Sequence, residues 1–241
     1  MKTITIANEK GGIGKTTTAL CMADELQKRG YSVLLVDIDP QSNLTFIANA
    51  DNSNVTIADV LSGNATAEKA IQKTETGFYI IPSDFETSEY NKMRIDTLRN
   101  VLQPVKEKFD YIIIDTPPTL SGITLNAFYA SDSCIIPTSS NVLSIQGITE
   151  LYKAVTAVNP GLVIDGILLC KYSDRSIIHR QMKEALAELA QNMKTRLFKT
   201  TIRTAVIVEE SQTMQQPLAV YASKANVTND YSMFVTEYLS L

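Results

Sequence analysis

The sequence predicts an α/β protein, a single domain over residues 1–241 in which a doubly wound, mostly parallel β-sheet carries helices on both faces. Three observations predict it. Short apolar runs rich in β-branched residues recur along the chain, and segments of helical length separate them, as when crossover helices cover both faces of a parallel sheet. A chain of 241 residues that is 44% hydrophobic can also bury one full core of this size.

The predicted strands are residues 3–7, 32–37, 79–82, 111–115, 134–137 and 163–170. The first reads Thr3-Ile4-Thr5-Ile6-Ala7, and the fourth is Tyr111-Ile112-Ile113-Ile114 ending on Asp115. Between them, residues 16–29, 87–108, 123–131, 144–158 and 177–193 read as helices, with a last helix near 229–239. In the first, Ala19, Met22, Ala23 and Leu26 share one face, and Gly30 stands where a C-terminal cap belongs. Residues 49–54 are polar and Asn-rich, an expected mobile loop, and the chain shows no internal repeat or low-complexity stretch.

Composition excludes several classes of function. Cys21, Cys134 and Cys170 lie far apart in apolar surroundings, without the spacing of a zinc or iron–sulfur site, and read as small core residues. The chain runs from Met1 directly into a strand, with no signal-peptide pattern and no apolar run near 18 residues. A soluble, cytoplasmic protein is therefore expected. The net charge of -4 argues against a surface coated in basic residues, but residues 166–204 alone carry +5 and leave -9 on the remainder.

The strongest chemical signal is Gly14-Lys15-Thr16 after a strand and at the start of a helix, with Gly11 and Gly12 just upstream. There, successive backbone N–H groups, a helix N-terminus, a lysine ammonium and a threonine hydroxyl can converge on the β- and γ-phosphates of a nucleotide and its Mg²⁺. Glycine lets the backbone approach the phosphate oxygens. The common pattern G-x-x-x-x-G-K-[ST] would place its first glycine at position 9, where this chain has Glu9 followed by Lys10. Lys15 is placed to neutralise the β/γ oxygens and Thr16 to ligate Mg²⁺. Asp115 ends an apolar strand, so its carboxylate emerges where ligands of open α/β sheets collect, positioned to hold Mg²⁺ directly or through water. Asp39 ends the neighbouring segment and could contact the metal or orient the attacking water. For Asp37, a buried structural role and a catalytic one stand side by side.

The stretch Lys10-Gly11-Gly12-Ile13-Gly14-Lys15-Thr16-Thr17 resembles the K-G-G-x-G-K-T signature of the deviant Walker A ATPases, the ParA and MinD family, a branch of the P-loop NTPases. Asp37-Ile38-Asp39-Pro40-Gln41 is similar to that family's D-x-D-P-Q stretch, and residues 111–118 to its Walker B and second switch. Ile167-Leu168-Leu169-Cys170-Lys171-Tyr172 and Thr201-Ile202-Arg203 resemble less sharply defined segments of short plasmid-type ParA proteins. The resemblance implies residues 10–17 as the nucleotide-binding set, Lys10, Lys15 and Asp39 as catalytic, and Thr16, Asp39 and Asp115 around the metal, with ATP and Mg²⁺ as cofactors. It also implies that Lys10 crosses to the partner's phosphates in an ATP-bound homodimer. The reading is then a DNA-segregation ATPase that binds nucleoid DNA without sequence preference, its hydrolysis triggered by a ParB-like centromere-binding partner.

For the basic segment the plain reading is solvated helix surface. Against it, Arg175, Arg180 and Lys183 cluster near one helix start, and with Lys171 and Arg203 they form the candidate DNA-contacting set. His179, the one histidine, reads as a surface residue. A MinD-like function on a membrane would need a C-terminal amphipathic helix with a basic face, whereas residues 231–241 carry no Lys or Arg. No membrane partner is expected. A relative built on an interface metal cluster would need exposed cysteines, and neither Cys21 nor Cys134 is placed to supply one.

Overall fold

The computed structural model describes residues 1–141 and 143–241. Its sheet comprises β1 (Lys2–Ile6), β2 (Val33–Asp37), β3 (Gln72–Lys73), β4 (Tyr79–Ile81), β5 (Tyr111–Asp115), β6 (Ser133–Ser139) and β7 (Val163–Cys170), in the order β3-β4-β2-β5-β1-β6-β7. All neighbours pair in parallel except β3 with β4 at one edge. The strands are apolar on both faces because both faces are covered. Ile4, Leu35, Ile113, Ile135 and Leu168 pack on one side with α1 (Lys15–Lys28) and α11 (Asn226–Leu239). Leu34, Val36, Ile112 and Ile114 face the other side, against α3 (Ile57–Ser62), α5 (Thr97–Lys106) and α6 (Gly122–Ala130). Farther along that side, Cys134, Ile136, Ile167 and Leu169 meet α7 (Leu143–Val158) and α8 (Ile177–Asn192). Each fully buried aliphatic side chain there contributes about 1.5–3 kcal/mol relative to exposure.

The order of strands sets the site. β1 lies between β5 and β6, and β5 lies between β1 and β2, so the C-terminal ends of β1, β2 and β5 open on one edge. α1 leaves from that edge and ends as anticipated at Gly30, whose φ of +88° suits glycine. The Gly30 and Tyr31 amides donate to the Gln27 and Leu26 carbonyls, the paired closure of a Schellman motif.

Residues 87–108 do not form the single helix the sequence suggested. The chain makes a 3-10 helix over Phe85–Lys92, becomes extended at Met93, and restarts as α5. Leu98, Leu102 and Val105 give α5 a buried face, whereas Thr87 is the one buried residue of the preceding segment. Helical spacing without an apolar face does not sustain an α-helix. The 3-10 helix packs tightly against α6, and a Cβ on Gly122 would lie 1.8 Å from the Asn91 carbonyl oxygen.

Several short elements carried no sequence signal of their own: α2 (Asn43–Ile47), α3, α4 (Ala67–Ala70), β3, α9 (Val206–Thr213) and α10 (Leu218–Tyr221). α11 begins three residues earlier than anticipated, at Asn226. The Asn-rich segment 49–54 folds around Asp51, whose carboxylate accepts from the Ser53 amide and hydroxyl and from Asn54.

Candidate nucleotide site

The loop between β1 and α1 rests on Asn8, a buried residue that the sequence did not single out. Its amide donates to the Pro137 carbonyl at 2.8 Å, and its side-chain oxygen accepts the Lys10 N–H at 3.1 Å. The loop then turns through left-handed glycines, Gly12 at φ +69° and Gly14 at φ +97°. Gly14 caps α1 without a side-chain acceptor, and the first helical bond runs from Thr18 N to Gly14 O. The amides of Lys15, Thr16 and Thr17 are therefore free for an anion at the positive end of the helix.

These residues line a cavity of about 420 Å³ together with Asp39, Gln41 and Pro118. Its far wall comes from a distant segment that includes Ile202, Thr204, Ala205, Val208 and Gln212. Gln212 donates to the Thr17 hydroxyl at 2.7 Å, tying α9 to α1. The apolar Ile202, Ala205 and Val208 give this end the character of a slot for a planar base, and the phosphate loop forms the other end.

Lys15 is buried, and its ammonium donates to the Lys10 carbonyl at 3.1 Å. Burial lowers its pKa, while the nearby carboxylates of Asp115 and Asp39 oppose that shift. Asp115 has no exposed surface, and neither of its oxygens has a hydrogen-bond partner of standard geometry. Burial pushes its carboxyl well above the usual range, adjacent Asp37 adds to this, and the Thr16 hydroxyl and Lys15 pull the other way. A buried carboxylate left without donors is costly unless a cation meets it. Asp115, the Thr16 hydroxyl and the more distant Asp39 thus fit Mg²⁺, which takes few protein ligands and completes its shell with phosphate and water. When bound, it supplies neutralisation of charge on the β- and γ-phosphate oxygens. Among the described residues no group of three His, Cys, Asp or Glu side chains forms a closed metal cage.

Asp39 is buried at the cavity wall and accepts the Gln41 N–H at 3.0 Å. Lys10 is half-buried on the loop, and its ammonium has no hydrogen-bond or ion-pair partner among the described residues. Of the five basic residues named from the sequence, Lys171 precedes Tyr172, Arg203 pairs with Tyr172, and the Lys183 ammonium lies 5.2 Å over the Tyr172 ring. Lys171 and Arg203 line the nucleotide cavity, and the Arg203 guanidinium grips Asp230 through two bonds of 2.7 Å. Arg180 and Lys183 line a separate groove of about 510 Å³ with Tyr172 and Lys199. Arg175 is exposed just before Ser176, the N-cap of α8.

The comparisons agree with this geometry. A family model described as an AAA domain matches residues 1–164. The chain is 32% identical to the chromosome partitioning protein ParA of Myxococcus xanthus, over 95% of this chain and 84% of that one. It is also 32% identical to the sporulation initiation inhibitor protein Soj of Bacillus subtilis, over 95% of both. The chain belongs to the ParA/Soj family of partitioning ATPases. Among solved structures, apo McdA of Cyanothece superposes with a TM-score of 0.88 at 25% identity, covering 99% of each chain. The septum site-determining protein MinD of Pyrococcus horikoshii, complexed with Mg-ADP, superposes at 0.84 with 26% identity, over 98% of this chain and 95% of that one. As a ParA/Soj member the protein is an ATP hydrolase, and its cofactors are ATP and Mg²⁺. Among the described residues no helix is long and apolar enough to cross a membrane.

Proposed function

We propose that this ATPase segregates plasmid or chromosomal DNA as an ATP-bound homodimer on nucleoid DNA, released when a ParB-like partner stimulates hydrolysis. The observation that carries the dimer is Lys10. Lys15 already occupies the position beside its own phosphate site, while the Lys10 ammonium stands on the same loop with nothing to neutralise. A second protomer presenting its γ-phosphate would supply the missing counter-charge, and the symmetric arrangement would close as a twofold pair. ATP then joins the two copies and hydrolysis loosens them. In this cycle Lys15 steadies the transferring phosphoryl group and Asp39 orients the attacking water.

Non-specific DNA binding is supported by the groove lined by Arg180, Lys183 and Lys199 on a molecule that is acidic elsewhere. Dimerisation would double that positive surface. Arg203 ion-pairs with Asp230 yet keeps 49% of its side chain exposed, and it stays with Lys171, Arg175, Arg180 and Lys183 in the proposed DNA-contacting set. The apolar residues of α11, among them Val227, Tyr231, Phe234 and Val235, are buried in the core against α1, so this helix has no free apolar face of those residues to lay on a membrane. Light scattering with ATP, ADP and no nucleotide tests the dimer. A doubling of mass with ATP alone supports it, and a monomer in every state refutes it.

A further inference from the structure

Asp37 ends β2, wholly buried, and its register partner on β5 is Asp115. Unlike Asp115, it is fully occupied with hydrogen bonds. Its Oδ1 accepts the Asp39 N–H at 3.0 Å, and its Oδ2 accepts both the Thr45 N–H at 2.9 Å and the Thr45 hydroxyl at 2.7 Å. The Thr45 hydroxyl in turn accepts the Ser83 N–H at 2.9 Å, so the same group reaches the end of β4. One carboxylate thereby ties down the first and last residues of the segment 39–45.

That segment supplies Asp39, Gln41 and Asn43 to the wall of the nucleotide cavity. It also passes through Ser42 at φ +54°, a left-handed conformation that a serine adopts only where its surroundings hold it. Thr45 is 1% exposed on α2, so the far anchor is itself fixed by packing.

We propose that Asp37 is a positioning residue for hydrolysis, clamping segment 39–45 at both ends so that the Asp39 carboxylate stands at a fixed place in the cavity wall. The inference rests on the reading of Asp39 as the group that orients the attacking water. Asp37 acts through Asp39, being wholly buried and outside the residues that line the cavity. Misplacing a reacting group by about 1 Å costs on the order of a hundredfold in rate, while substrate contacts made elsewhere survive. The residues assigned to the protein's own phosphates, 11–17, line the cavity from a different loop.

The test is ATP affinity and steady-state turnover in Asp37→Asn and Thr45→Val. The asparagine keeps the shape, but its amide nitrogen cannot accept the two Thr45 bonds. The valine keeps the Thr45 N–H bond to Asp37 but removes the hydroxyl bond, and with it the acceptor of the Ser83 N–H. We expect kcat to fall by about ten- to a hundredfold in the first and about three- to tenfold in the second, with affinity for a fluorescent ATP analogue within about threefold of the parent. If Asp37→Asn does not fold, Thr45→Val decides. Unchanged kcat, or affinity lost in step with kcat as a merely structural role would give, overturns the proposal. Asp39→Ala measured alongside separates the two ideas. Normal turnover there removes the role of Asp39 itself, whereas slow turnover there with normal turnover in both clamp variants removes only the clamp.

Discussion

Replacing Lys15 with alanine examines the phosphate site at the residue with the most at stake. The side chain is 6% exposed, and its ammonium lies beside two carboxylates and the free amides of the α1 N-terminus. In the nucleotide-free protein the change removes one bond, to the Lys10 carbonyl, worth about 1.5–3 kcal/mol for a charged donor, and the ammonium's attraction to the buried Asp115 carboxyl. It also removes the cost of burying an ammonium, so the two effects offset and the melting temperature of the free protein should move by only a few degrees. With ATP the balance differs. A buried charge-assisted contact is worth about 2–5 kcal/mol, or about 30- to 5,000-fold in affinity. The assay pairs titration of a fluorescent ATP analogue in Mg²⁺ with thermal melts. At a ligand concentration a hundred times Kd the parent gains about 2.7 kcal/mol, a rise of about 5–10 °C, and the variant should gain less than about 1 kcal/mol, a rise of at most about 2–4 °C. An affinity within threefold of the parent, with an equal thermal rise, would refute the phosphate-loop assignment.

Three further outcomes are expected. Lys10→Ala should keep nucleotide binding within severalfold of the parent but abolish the ATP-dependent doubling of mass in light scattering; an unchanged dimer counts against contact across the interface. Gly122→Ala should destabilise the fold by about 2 kcal/mol or more, because its Cβ would meet the Asn91 carbonyl at 1.8 Å, and calorimetry should show Tm lower by about 4–8 °C. Stability should also fall in alkali. Burial raises the pKa of all three thiols, with Cys170 pushed up to about 12. Their folded-state pKa lies above the unfolded value, so this contribution is intact below about pH 8.5 and is lost as pH rises and the unfolded thiols ionise. Three such groups cost about 6 kcal/mol at pH 10, and urea unfolding with the same midpoint at pH 8 and pH 10 would contradict it.

Some of this was open to reading from the sequence and some was not, for physical reasons. The strands were legible because covered parallel strands read as apolar runs such as Ile112-Ile113-Ile114, and the phosphate loop because its glycines, lysine and threonine are adjacent in sequence. The far wall of the cavity was not legible as a base slot. Ile202, Ala205 and Val208 meet the phosphate loop through tertiary contacts such as the pairing of Tyr172 with Arg203 and the Gln212 to Thr17 bond, across nearly the whole chain. The placement of the basic residues has the same origin. Lys171 and Arg203 end adjacent paired segments at the cavity, while Arg180 and Lys183 lie on α8. The misread helix at 87–108 shows the opposite failure. Residues 85–92 have acceptable helical composition, and only the absence of a buried face, with Phe85 exposed, separates them from α5.

The central claim, that ATP switches this protein onto DNA, is tested most directly by its binding to random-sequence duplex DNA with ATP, ADP or no nucleotide across a salt series. We expect tight binding with ATP alone, an affinity that falls steeply with salt, and a shallower slope in Arg180→Ala and Lys183→Ala. Absence of DNA binding in every nucleotide state would leave the ATPase intact and contradict the segregation mechanism.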